Sequence, residues 1–248
     1  MKELVKDLEK KHNDKEQIRI LQEIGSKLIN NYVIQIGNLT IEPLLVEAYY
    51  FNTTKNSFID DNCHQNPKQK GRFGKIYQHT KTEINGGIDI CLSPKKEEIE
   101  DNYFLSFLIK VARINGKPYK QEAINSKLLK EIDVDAESFD NVLKPIKRKD
   151  VDIICVPRKG THKGKFAHAP LAMLSVAAFK NEDETKAVVD SLENGHKKQW
   201  VLAKYALEKV QLNIERACEL LKQEGLYKDR IQDEYINSAL NYIKEQNN

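Results

Sequence analysis

Long apolar runs are missing from this 248-residue sequence. None approaches the roughly 20 residues that a membrane-spanning helix needs, so no span is expected. The opening stretch MKELVKDLEKKHNDK has no apolar core of the kind a secretory signal carries. Cysteine is scarce: Cys63, Cys91, Cys155 and Cys218 stand far apart, and no Cys-x-x-Cys pair occurs. That spacing argues against a disulfide framework or a zinc ribbon and suits free thiols in a reducing cytoplasm. Internal repeats and low-complexity tracts are lacking as well. With 40% hydrophobic and 31% charged residues, the composition is that of an ordinary soluble protein long enough to bury a core.

A strong charge of either sign is also missing, since the net charge is only +3. Its distribution is more informative. Between Asn62 and Thr82 there are five basic residues and no acidic one, and between Lys144 and Lys165 eight basic residues face Asp150 and Asp152. Two basic segments in a nearly neutral chain suit an anionic polymer, and they equally suit solvated loops.

Periodicity gives the organisation. Residues 1–12 read as a short charged helix and Asp14–Asn30 as a longer one, with Asp14 as its cap and Gln17 closing a capping box. Around Gly37-Asn38, Ile34 and Ile36 on one side and Leu39 and Ile41 on the other alternate with polar residues, a hairpin signal. Strands follow at Leu44–Phe51, Lys75–His79, Gly87–Leu92, Tyr103–Ala112 and Val151–Val156, and Gln121–Ile132 reads as a helix. Pro170–Phe179 is apolar and fits strand or helix. The polar stretch Asn52–Phe73 is long for a loop, which is typical of functional segments. After Phe179 the pattern turns helical, over Glu184–Leu192, Trp200–Leu221 and Ile231–Ile243, with Gly225 placed to end the second of these. The expected fold is α+β: a mostly antiparallel, curved sheet with surrounding helices over residues 1–180, and a helical C-terminal extension over residues 181–248 packed on it.

The candidate chemistry lies between Val46 and Lys110. Glu47 is the sole charged side chain in Leu44-Leu45-Val46-Glu47-Ala48-Tyr49-Tyr50. Alternation puts Leu45, Glu47 and Tyr49 on one face. An acid there either faces water at a sheet edge or is buried for general acid–base work. His64, Tyr77, His79 and Asp89 follow. Tyr77 and His79 share a face, and Asp89 stands between Ile88 and Ile90 after two glycines. Asp89 fits a structural acid or a site residue. His64, His79 and Asp89 are potential metal ligands, but no pair has a recognised ligand spacing, so no metal is expected.

The serial order of these residues resembles the alkyladenine (3-methyladenine) DNA glycosylase family, whose members carry a Glu-Ala-Tyr strand, a loop His, a Tyr-x-Tyr strand, a Met-Asn-Ile or Leu-Asn-Val strand and a Leu-Leu-Arg-Ala strand. Here the series runs Val46-Glu47-Ala48-Tyr49, His64, Ile76-Tyr77-Gln78-His79 after Gly74, Ile88-Asp89-Ile90, and Leu108-Ile109-Lys110-Val111-Ala112. Val156-Pro157-Arg158-Lys159-Gly160 is similar to the family's Pro-Arg-Ile-Gly stretch, and Ala169-Pro170-Leu171-Ala172 to its closing Pro-Trp-Arg-Phe. The likeness covers roughly residues 33 to 180. It implies a base-flipping N-glycosylase removing alkylated or deaminated purines from DNA, with no metal or organic cofactor. Glu47 would activate the attacking water. Tyr49, His64, Tyr77, His79, Asp89 and Lys110 would line the base pocket. Lys68, Lys70, Arg72, Lys75, Arg158, Lys159, Lys163 and Lys165 would meet phosphates. The pattern departs from the family in four places. His79 stands for a Tyr, Asp89 for an Asn, Lys110 for an Arg, and Thr82 for the aromatic wedge that fills the gap in a duplex. Two other readings stay open: an N-glycosidase acting on a nucleoside or single-stranded nucleic acid, and a non-catalytic nucleic-acid-binding protein with a structural Glu47.

Overall fold

A computed structural model describes residues 1–8, 10, 12–53, 58–79, 86–94, 103–131, 142–147, 149–161, 164–192, 198–211, 213–226 and 239–240. Thr82 and Lys163, together with most of the stretch 231–243, lie outside them. The chain divides into two compact units, Met1–Ser175 and Val176–Asn248, against the expected boundary at 180.

The first unit is α+β, with an antiparallel sheet curled into a half-barrel. Its helices are α1 (Lys2–Leu8), α2 (Asp14–Asn31) and α3 (Gln121–Glu131). Its strands are β1 (Tyr32–Ile36), β2 (Leu39–Asn52), β3 (Phe58–Ile59), β4 (Lys75–His79), β5 (Gly87–Cys91), β6 (Tyr103–Ile114), β7 (Lys117–Lys120), β8 (Leu143–Pro145), β9 (Ile153–Val156) and β10 (Ala172–Ser175). The main path runs β4-β5-β6-β2-β1-β8, with β10 and β3 also on β2, β7 on β6 and β9 on β10. The long strand β2 is the hub. β6 runs along one edge of it, and β1, β10 and β3 share the other in turn.

Local chemistry explains several details. β1 and β2 join through Gly37-Asn38, where Ile36 faces Leu39 and Gly37 takes φ 53°. A positive φ on the first turn residue is the requirement of a type II′ hairpin, which glycine meets without strain. β2 runs unbroken through Pro43, where a separate strand was expected to begin at Leu44. The β2–β6 ladder is irregular between Pro43 and Val46, so the missing proline N–H falls where regular pairing is already interrupted. Leu44 and Lys110 fall outside the paired register there. The cap of α2 is Asn13, whose side chain accepts from the Glu16 N–H at 2.9 Å, in place of the expected Asp14. Gln17 closes no capping box, for its side chain is buried and its amide has no hydrogen-bond partner.

The two faces of the sheet differ. One carries Val46, Ala48, Tyr50, Ile76, Ile88, Ile90, Leu105, Phe107, Ile109 and Met173 into a single apolar core with Ile20, Leu21, Ile24 and Leu28 of α2. Burying such side chains contributes about 1.5–3 kcal/mol each. Gly25 allows a close approach there, because a Cβ at that position would run into Met173 and Phe107. The other face carries the polar residues described below.

The second unit is helical where described. A 3-10 turn at Val176–Lys180 precedes α4 (Glu182–Asp190), α5 (Lys198–Lys209) and α6 (Ile214–Gln223). Trp200–Leu221, read as one helix, is two. Asn213 caps α6 by accepting from the Arg216 N–H at 3.0 Å, and Gln211 takes φ 54° in the break. Gly225 takes φ 67° after the C-terminus of α6, as expected of a C′ glycine. The Tyr205 hydroxyl donates to Glu224 Oε1 at 2.7 Å across α5 and α6. Among the described residues, no helix is long and apolar enough to cross a membrane.

Candidate active site

Strand register sets the central row of the site. Across the sheet, Val156 faces Ala172, Ala172 faces Glu47, Glu47 faces Leu108, Leu108 faces Asp89, and Asp89 faces Tyr77. Directly opposed residues share a face. One row across six neighbouring strands therefore carries both carboxylates with Leu108 between them. At the usual strand spacing their Cα atoms stand about 10 Å apart. Two residues along each strand, Tyr49 faces Ser106 and His79 faces Gly87 on the same face.

Glu47 is 1% exposed, so it is a buried acid and does not face water at an edge. Its Oε2 accepts from the Tyr49 hydroxyl at 2.9 Å, and its Oε1 accepts from the Lys159 backbone N–H at 2.9 Å. Lys110 Nζ lies 3.8 Å from Oε2. Lys110 reaches it diagonally across the irregular stretch of the β2–β6 ladder, the kind of place where a sheet re-aims a side chain. Burial, and then the Glu47 charge, push the Tyr49 phenol well above its ordinary pKa, and the Asp89 charge adds to the same effect.

Arg158 holds this arrangement from the side. It was expected at a phosphate. It is instead 1% exposed, with Nη1 donating to Asp60 Oδ2 at 2.5 Å and to the Ala48 carbonyl at 2.9 Å, and Nη2 donating to Asp60 Oδ1 at 3.0 Å. Its guanidinium lies 4.6 Å from the Tyr49 ring centroid. Burial disfavours the charged guanidinium, but the Asp60 hydrogen bonds and charge outweigh it and leave the pKa raised. An arginine enclosed in this way has no fork left for DNA, so it leaves the set of phosphate contacts. Its neighbour Lys159 is exposed while its backbone serves Glu47.

The second centre surrounds Asp89, 3% exposed, and His79, 1% exposed. Asp89 Oδ2 accepts from Gln69 Nε2 at 2.6 Å and from the Ser106 hydroxyl at 2.9 Å. His79 Nε2 lies 3.1 Å from the same oxygen, without hydrogen-bond alignment. The His79 ring stands 5.5 Å from that of His64 and 4.8 Å, edge-on, from that of Tyr77. Asn66 Nδ2 donates to the Tyr77 hydroxyl at 2.7 Å. Asp89 Oδ1, His79 Nδ1 and His64 Nδ1 are buried without a hydrogen-bond partner. Among the described residues no group of three His, Cys, Asp or Glu side chains is arranged to hold a metal ion.

All seven residues expected at the catalytic and base-lining positions therefore belong to one face of the sheet or to the segment that covers it. Glu47, Tyr49 and Lys110 form one centre, and His64, Tyr77, His79 and Asp89 the other. Of the expected phosphate contacts, Lys68 is exposed, and Lys70, Arg72 and Lys75 are partly buried. Lys70 Nζ sits 5.0 Å from the Phe104 ring centroid. Lys165 is exposed and paired with Asp14. Asp60, Gln69 and Ser106 were not anticipated. Ser106 carries the same signal as Glu47, a polar residue inside an otherwise apolar run, here Tyr103–Ile109, and Asp60 is half of an acidic pair beside a basic segment. Gln69 carries no signal. Compared with known proteins, the chain matches no family model and no curated relative.

Proposed function

We propose that the protein is an N-glycosidase of the alkyladenine DNA glycosylase type, which hydrolyses the bond between a purine base and its sugar with Glu47 as the water-activating group. The observation that carries this reading is the buried Glu47 carboxylate, gripped by Tyr49 and Lys159 and neighboured by Lys110, in the same sheet row as Asp89. A carboxylate has about four lone-pair positions. Two hydrogen bonds occupy half of them, and the others can orient a water. In the reaction the water oxygen bonds to the sugar carbon and one water proton passes to Glu47. The electron pair of the carbon–nitrogen bond leaves with the base. Lys110 offsets the carboxylate charge before the proton arrives. The rings of Tyr49, His64, Tyr77 and His79 supply flat surfaces on which a base stacks, worth about 1–3 kcal/mol per base. Lys68, Lys70 and Arg72 belong to the segment that covers this face, Lys75 to β4 and Lys159 to the segment that reaches Glu47, and a phosphate backbone would run past them.

The test is release of free base from duplex and single-stranded DNA containing hypoxanthine or methylated purines, scored as abasic sites. Release by the natural protein and its loss in Glu47→Gln is the expected result. Binding without release from any of these substrates would refute the reading. Release from single strands or nucleosides with duplex untouched would direct it to the smaller substrates.

A further inference from the structure

The two carboxylates differ in how their acceptor capacity is used, and that difference bears on what the site holds. Asp89 Oδ2 accepts from Gln69 and Ser106, with His79 Nε2 3.1 Å away. Asp89 Oδ1 is buried with no partner. A buried acceptor left unmatched is costly, and in a native protein it calls for a ligand or another functional reason. His79 Nδ1 is likewise buried with no partner. This end of the site thus asks for a hydrogen-bond donor at Oδ1, beside His79 and Tyr77.

We infer that Asp89 selects a planar nitrogen heterocycle through a donor edge, accepting an exocyclic amino group at Oδ1. Amino-bearing purines are then the favoured class. This rests on the base-binding reading proposed above. The fixed side of the carboxylate makes the idea sharp. Gln69 and Ser106 both donate to the Oδ2 position, so an asparagine at 89 must place its oxygen there. Its NH₂ then takes the Oδ1 position and converts an acceptor into a donor.

The experiment measures the affinity of the full chain for 9-methyladenine, 9-methylpurine and 6-methoxy-9-methylpurine by calorimetry or NMR titration. The first offers an amino donor, the second no substituent, and the third an acceptor. The natural protein should bind 9-methyladenine at least about tenfold more tightly than the other two, the range for a hydrogen bond to a charged group. Asp89→Asn should reverse the order, favouring the methoxy compound over 9-methyladenine. Equal affinities in the natural protein, binding of none of the three, or a folded Asp89→Asn protein that keeps the natural order would overturn the inference. If that variant does not fold, the ranking by the natural protein decides alone. Base release is not needed for this measurement. Correct ranking without base release from any substrate would remove the glycosidase reading and leave the donor-edge site. Base release with equal ranking would do the reverse.

Discussion

Glu47 and Asp89 occupy one row of the sheet on either side of Leu108, yet they are held in opposite ways. Glu47 has a donor on each oxygen and a cation nearby, drawn from β2, β6 and the segment after β9. Asp89 has its donors crowded on one oxygen, with the other buried and unmatched. The first arrangement suits a group whose position must be fixed while it handles a proton. The second suits a group that completes its hydrogen bonding with something brought in. Two acids on the same face are thereby given separate work by their neighbours alone.

The largest expected effect breaks the Glu47 side. Glu47→Gln keeps the shape and one acceptor but cannot take a proton, and should lower the base-release rate about 10²–10⁴-fold in single-turnover assays, while Asp89→Asn changes which base is taken. A comparable effect, read as stability, belongs to the clamp beside Glu47. Asp60→Asn leaves Arg158 buried without its counter-charge and should cost about 3–5 kcal/mol in urea unfolding. The exposed neighbour substitution Asp61→Asn should stay within about 0.5 kcal/mol. Equal effects of the two would remove the clamp from the Glu47 side.

Ser106→Ala sharpens the Asp89 side. It removes one of the two donors on Oδ2 and should cost about 1–3 kcal/mol of stability, with the adenine preference weakened and the base-release rate per bound substrate little changed. The smallest effect concerns the thiols. Burial first, and then the charges of Asp60 and Asp89 respectively, push Cys63 and Cys91 well above the ordinary thiol pKa. Alkylation of the native protein at pH 8, followed by mass spectrometry, should label the partly exposed Cys155 and Cys218 first. Early labelling of Cys91 would show the Asp89 side to be more open than its burial implies.

Much of this was legible in the sequence because strands write their faces with period two. The parity of Leu45, Glu47 and Tyr49, and of Tyr77 and His79, fixes which side chains share a surface once pairing is known. What periodicity cannot carry is partner choice across a long separation. Arg158 sits in a basic stretch and reads as a surface cation; only its pairing with Asp60, 98 residues away, turns it inward. The break between α5 and α6 was written locally, since Asn213 is a good cap, but the apolar stripe of Trp200–Leu221 overrode it. Asn115-Gly116, both at positive φ, is the strong hairpin dipeptide that links β6 to β7.

The separation between Glu47 and Lys159 has a consequence in time. Asp89 draws its hydrogen-bond donors from Gln69 and Ser106, within 20 residues along the chain. Glu47 must wait for a backbone N–H 112 residues further on, and for β10 to add the strand beside it. During synthesis, therefore, the Asp89 end of the site can be built while the Glu47 end is still incomplete. Such distant pairings are also the slow ones in refolding, so activity should return after the bulk of the secondary structure.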